Sequence, residues 1–326
     1  MDTDRNDRIA LDVHAHLAPI VPDRLAAFDG AAWDADDMRL TLDDRTLGLK
    51  PLFKPDVLIG WMDDNGVEQA WVSVPPPLYR QTLAPAQASR WVDYVNAGLA
   101  AVCGAYQGRL APLYHLPLEH PSLAQDVAES RISHGARRFS APAGGTRELA
   151  LSDPRYEGLW KVLDANACFL FLHPASCADG RLAAFYLENL LGNPHETAVA
   201  VAHLVFGGVC ERYPRMRFCL AHGGGATAMV AGRWQRGFDT KRPGVDTTRS
   251  APRAILRRVM ADCVVHDGEA LRLAASVFGT ENIVFGSDWP FPMGLPSPQR
   301  QLENVASDLR RQILSANGSR LKALYT

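Results

Sequence analysis

Short apolar runs recur along the chain, each followed by a longer segment with helical spacing. The runs cover residues 9–13, 67–74, 111–116, 136–140, 168–172, 216–221, 259–265 and 283–285. They are nearly continuous in apolar residues instead of alternating, the pattern of strands buried on both faces. Among the intervening segments, "HPSLAQDVAESRISHG" offers Ser122 as an N-cap and Gly135 as a stop. "SDPRYEGLWKVLDANA" offers Ser152 as an N-cap, Pro154 near its first turn, and Leu159, Val162 and Leu163 on one face. "PHETAVAVAHLVFGGVCERYP" reads as one long helix closed by Pro214. Eight strands alternating with helices over 326 residues predict one α/β domain, residues 1–326, folded as a (β/α)8 TIM barrel. A doubly wound open sheet is the runner-up. It lacks a dinucleotide fingerprint, since no G-x-G-x-x-G follows an early strand and "AHGGGA" has different spacing.

The first inter-element segment, 17–55, is far longer than an ordinary strand-to-helix connection. It holds Trp33 and clusters of Asp and Arg. In a barrel of this kind the loops after the strands build the active face, so the segment is expected to be a lid-like insertion.

Charge and cysteine usage narrow the possibilities. A formal net charge of −2, with 21% charged residues, gives no electrostatic case for nucleic acid or an anionic membrane. The start, "MDTDRNDR", lacks the apolar core of a secretion signal, and the longest apolar stretch, 198–209, is too short to span a bilayer. The six cysteines show no CxxC pairing, and several sit inside apolar runs, as in "NACFLFLH". They behave there as small hydrophobes, which fits a reducing cytoplasm and excludes thiolate metal binding.

The chemistry lies at the ends of the apolar runs. In a strand, residues two apart point the same way, so His14 and His16 of "LDVHAHL" face one direction. His173 closes "FLFLHP", His222 closes "FCLAHGGG", and Asp288 follows the eighth run in "IVFGSDWPFP". One barrel face collects all five. Imidazoles with a carboxylate are the donor set of Zn2+ or a similar divalent ion, Mn2+ being the alternative. Burying so many polar groups unpartnered would cost several kcal/mol, which a metal removes. Of the other histidines, His203 reads as a satisfied core or helix-interface residue, and His120, His134 and His195 fall at helix ends or in loops away from the metal. His115 and His266 lie at the ends of runs three and seven, where either could border the pocket.

"DVHAH", "LHP", "LAHGGG" and "FGSDWPFP" together resemble the second amidohydrolase family, in particular its aminocarboxymuconate-semialdehyde decarboxylase branch. The resemblance runs over nearly the whole chain and implies the same (β/α)8 barrel. It implies His14, His16, His173 and Asp288 as ligands of one metal, with His222 as the neighbouring general acid/base. Run four, "ARRFSAP", has no lysine or carboxylate to bridge two ions, so the site is expected to be mononuclear. The resemblance also implies Arg45, in the insertion, and Arg233, eleven residues after His222, as carboxylate-binding arginines. Arg233 would reach the site of a neighbouring subunit, hence a homodimer. The chain departs from the branch after His173, where "HPAS" stands in place of Trp-Asp, and in "RLAAFYLENLLGNP", which replaces a tryptophan-rich helix start.

The expected function is metal-dependent, non-oxidative decarboxylation of a small conjugated or hydroxyaromatic carboxylic acid, with His222 moving the proton and Asp288 serving both metal and catalysis. A metal-dependent hydrolase of an ester, lactone or amide, or a hydratase of a conjugated acid, would use the same residues. A barrel whose metal is purely structural would instead close its coordination shell.

Overall fold

A computed structural model describes residues 8–144, 149–175, 177 and 179–325. The polar residues 1–7 and Ser176 of "HPAS" lie outside the described residues. The chain divides into two compact units, Met1–His115 with Phe285–Leu324, and Leu116–Val284 with Tyr325.

In the first unit, β1 (Asp12–His16) is buried at every residue. It is followed by three short antiparallel strands, β2 (Ala31–Asp34), β3 (Arg39–Leu42) and β4 (Arg45–Leu47). Segment 17–55 therefore holds a small folded sheet, flanked by the short helical turns Pro22–Leu25 and Lys50–Phe53. Leu40 and Leu42 turn inward while Arg39 stays exposed, the period-two pattern of a half-buried strand. Trp33 packs edge-on against Phe53, ring centroids 4.8 Å apart. β5 (Ala70–Ser73) runs parallel to β1 with His16 opposite Ser73, and β6 (Leu110–Pro112) runs parallel to β5. The third apolar run is split at Leu113, and Tyr114–His115 forms a separate strand, β7. Helices Pro55–Asp64 and Pro85–Ala105 both begin with proline, whose missing N–H costs nothing in the first turn.

The second unit carries a parallel sheet of β8 (Arg138–Pro142), β9 (Phe169–His173), β10 (Arg217–Leu220), β11 (Met260–Asp262) and β12 (Ile283–Val284), in sequential order. Helices connect them, including Pro121–Ser133, Glu157–Ala165, Thr227–Asp239 and Gly268–Phe278. Strand–helix alternation through both units is that of the (β/α)8 fold.

Three local expectations change. Pro121 opens its helix, so His120 and not Ser122 occupies the N-cap position. Asp153 replaces Ser152 as the cap, accepting from the backbone N–H of Arg155 at 2.9 Å. Ser152 instead bonds His203 Nδ1 at 3.0 Å, which gives that part-buried histidine a partner. The long helix breaks into Asn193–Phe206 and Val209–Arg212, because Gly208 adopts φ +70°. Among the described residues no helix is long and apolar enough to cross a membrane. All six cysteines are free thiols, five of them buried.

Candidate metal centre

β1 presents two imidazoles on one side. His14 and His16 are fully buried, with their Nε2 atoms 3.1 Å apart. Asp288, in the segment after β12, brings Oδ1 to 3.2 Å from each of them. Three donor atoms thus form a nearly equilateral triangle. Two ligands about 2.1 Å from a common ion stand roughly 3.0–3.4 Å apart in octahedral or tetrahedral geometry. The triangle has that edge, and its atoms are the nitrogen and oxygen donors a divalent cation takes, so these residues fit the ion the sequence implies. His16 Nδ1 faces Ser73 Oγ at 3.1 Å, the outer contact that leaves Nε2 for a metal.

A buried carboxylate fixes this triangle. Asp12 accepts from the backbone N–H groups of His14 at 2.9 Å and Ser287 at 3.0 Å, and from Ser287 Oγ at 2.5 Å. The backbone N–H of Asp288 donates to the carbonyl of His14 at 2.7 Å, and Val13 N–H to the carbonyl of Phe285 at 3.0 Å. Burial pushes Asp12 up to about 7, against the lowering effect of those bonds. Asp288 itself sits at φ +55°, a left-handed conformation uncommon outside glycine and typical of functional sites.

In the second unit, β9 ends at His173, whose ring lies 4.9 Å from that of His222. His173 Nδ1 donates to the carbonyl of Pro174 at 2.7 Å, the tautomer that keeps Nε2 as a lone-pair donor. His222 stands just beyond β10 at φ +55°, half-buried, and leads into three glycines of positive φ. Asp262, buried at the end of β11, accepts from the backbone N–H groups of Gly223 at 2.8 Å and Val264 at 3.0 Å, holding the loop that carries His222.

The remaining candidates are spread out. Arg45 is exposed on β4, and Arg233 is exposed on helix Thr227–Asp239. His266 follows β11 at φ +58°. His115 is fully buried at the end of β7, stacked on Tyr79 with centroids 4.7 Å apart and planes at 6°. Burial alone drives the His115 ring down to about 3, so it is neutral in ordinary solution. Asp12, Asp262, Ser287 and Tyr79 were not among the residues singled out from the sequence. An Asp two positions before an HxH, inside an apolar run, is the signal that would have found Asp12.

A divalent-cation site on the strand ends of a (β/α)8 fold defines a metal-dependent barrel enzyme. Residues 11–321 match the amidohydrolase family, and the chain belongs to it. A 2-amino-3-carboxymuconate-6-semialdehyde decarboxylase of Dictyostelium discoideum is 25% identical over 310 residues, covering 91% of this chain and 86% of that protein. The solved structure of 5-carboxyvanillate decarboxylase from Sphingomonas paucimobilis superposes with a TM-score of 0.80 at 20% identity, covering 97% and 98% of the two chains. A second 5-carboxyvanillate decarboxylase, from Novosphingobium aromaticivorans and holding manganese, gives a TM-score of 0.76 at 16% identity and 98% coverage of each chain.

Proposed function

We propose that the protein is a metal-dependent, non-oxidative decarboxylase, a carboxy-lyase acting on a small conjugated or hydroxyaromatic carboxylic acid. The observation that carries the reading is the buried triangle of His14, His16 and Asp288, with edges set for one divalent ion. It is supported by membership of the amidohydrolase family and by relatives that are decarboxylases. As the family resemblance implies, we take His173 as the further ligand and His222 as the acid/base, each a histidine at or just past the end of a strand in the second unit. Zn2+ is the proposed ion and Mn2+ the alternative, the latter held by a structural neighbour.

A divalent ion held there supplies Lewis acidity, which stabilises negative charge as it develops on the substrate. The protein's own residues do the rest. Loss of CO2 breaks a carbon–carbon bond and leaves the electron pair on the ring or polyene, where conjugation spreads it. His222 delivers a proton to that carbon, a task suited to imidazole near neutral pH. The tight loop behind His222 holds the ring in place and so limits the motion lost during transfer. Arg45 and Arg233 are proposed to hold a carboxylate, Arg233 from a second copy in a homodimer, since a guanidinium pairs with a carboxylate bidentately.

The test is a metal analysis of the purified protein, followed by assay of ortho-hydroxybenzoates and muconate-type acids for CO2 release. His222→Ala is expected to keep its metal while losing turnover by about 10²–10⁴-fold. Loss of metal in that variant would make the imidazole a ligand. Turnover that consumes water without releasing CO2 would replace this reading with the hydrolase or hydratase one.

A further inference from the structure

Tyr79 and His115 form a built pair whose polar atoms are left over. His115 is held by its backbone. The side-chain amide of Asn96, itself buried, accepts from His115 N–H at 2.7 Å and donates to its carbonyl at 3.0 Å. Tyr79 is held from both neighbours. The indole of Trp91 donates to the carbonyl of Leu78 at 2.7 Å. The guanidinium of Arg80 forks onto Asp43 at 2.7 and 3.1 Å and lies over the Trp91 ring. These contacts fix where the two rings sit, yet they engage neither ring's polar atoms. Tyr79 is 2% exposed and His115 0%. Within the described residues, Tyr79 Oη and both ring nitrogens of His115 lack a hydrogen-bond partner. Leaving three such atoms dry carries a desolvation penalty, which a ligand group removes on binding.

Their place says which ligand. Both follow the C-terminal ends of strands, Tyr79 after β5 and His115 at the end of β7, the face on which barrel enzymes bind substrate. Tyr79 follows β5, whose Ser73 stands opposite His16 in the parallel pairing with β1, so the pair lies at the strand ends that carry the triangle, and the Asp288 charge opposes ionisation of the phenol. A neutral imidazole offers one donor and one acceptor, and a phenol offers both from one oxygen. That set suits an uncharged group which also donates and accepts. It is poorly suited to a carboxylate, because no cation of the pair offsets the charge and Asp288 repels it.

We infer that Tyr79 and His115 bind a hydroxyl or amino substituent on the substrate's conjugated frame and so select hydroxylated or aminated acids over unsubstituted ones. The inference deepens the decarboxylase reading and rests on it, but its test needs binding and not turnover. Metal-loaded wild type, Tyr79→Phe and His115→Gln are titrated calorimetrically with benzoate and with 2-, 3- and 4-hydroxybenzoate. The expected result is that one hydroxylated isomer binds wild type about tenfold more tightly than benzoate. Tyr79→Phe removes that preference by weakening the hydroxylated acid alone, with benzoate affinity and metal content unchanged. His115→Gln, which keeps a donor and an acceptor, retains part of it. The melting temperature of Tyr79→Phe is expected to equal or exceed that of wild type, since an unpaired hydroxyl is removed.

Three results overturn the inference: no isomer preferred by wild type, equal weakening of benzoate and hydroxybenzoate in Tyr79→Phe, or a clear drop in that variant's melting temperature. Absence of CO2 release from every acid, with the binding preference intact, counts against the decarboxylase reading alone.

Discussion

Asp12 and Ser287 lie 275 positions apart and meet in the knot behind the metal ligands. Their partnership ties β1 to the segment that carries Asp288, so the spacing of the triangle depends on a residue pair that would not itself touch the ion. Ser287→Ala removes one hydroxyl and leaves Asp12 Oδ2, fully buried, without that donor. The expected cost is about 1–3 kcal/mol. It should appear as a melting temperature lower by roughly 2–10 °C and as weaker metal binding in a competition titration. A normal metal affinity in a stably folded Ser287→Ala protein would remove the positioning role. His14, His16, His173, His222 and Asp288 were legible because imidazoles at the ends of apolar runs are chemically conspicuous. Ser287 was not, since a lone serine carries no distinctive pattern until the fold brings it against Asp12.

At the level of elements, strand ends show where pattern reading stops. The first and fifth apolar runs end at Val13 and Leu172, and β1 and β9 carry on through His16 and His173, as the histidine positions predict, while β8 runs to Pro142, two residues past its run. Backbone pairing with neighbouring strands continues past the last apolar side chain, and hydrophobicity does not record it. The sheet of β2–β4 escaped for a related reason: its strands are three or four residues long, and their alternation is too short to stand out. The loop after β10 was visible as a glycine run, and the structure gives its reason. Gly225 sits at φ +58°, and a Cβ there would stand 2.5 Å from the Pro194 carbonyl oxygen. Backbone cannot yield as a side chain can. Gly225→Ala is therefore expected to cost about 2 kcal/mol or more, read from chemical denaturation, and to lower turnover by displacing His222.

For the whole molecule, the alternation of runs and helices carried the (β/α)8 fold because burial on both strand faces leaves a continuous apolar trace. The same trace says nothing of substrate, which depends on side chains such as Tyr79 that read as ordinary core. A bound ion should also stabilise the whole fold, since the unfolded chain cannot assemble the triangle. At an ion concentration about 1,000 times Kd the linkage is worth roughly 4 kcal/mol. Chelation is expected to lower the melting temperature by about 8–16 °C, and readdition of Zn2+ or Mn2+ to restore it. An unchanged melting curve after verified metal removal would argue against a site of useful affinity.

The state of the thiols has a practical bearing on all of these measurements. Burial pushes Cys168 and Cys210 up to about 12 and Cys219 well above its ordinary value, so the thiolate that oxidants and alkylating reagents need is scarcely formed. Cys177, half-buried, lies 3.4 Å from Glu196 Oε1, whose presence also opposes ionisation. These four thiols are then expected to resist oxidation in air, as a thiol titration over time would check, without dithiothreitol or mercaptoethanol, additives that would themselves compete for the cation.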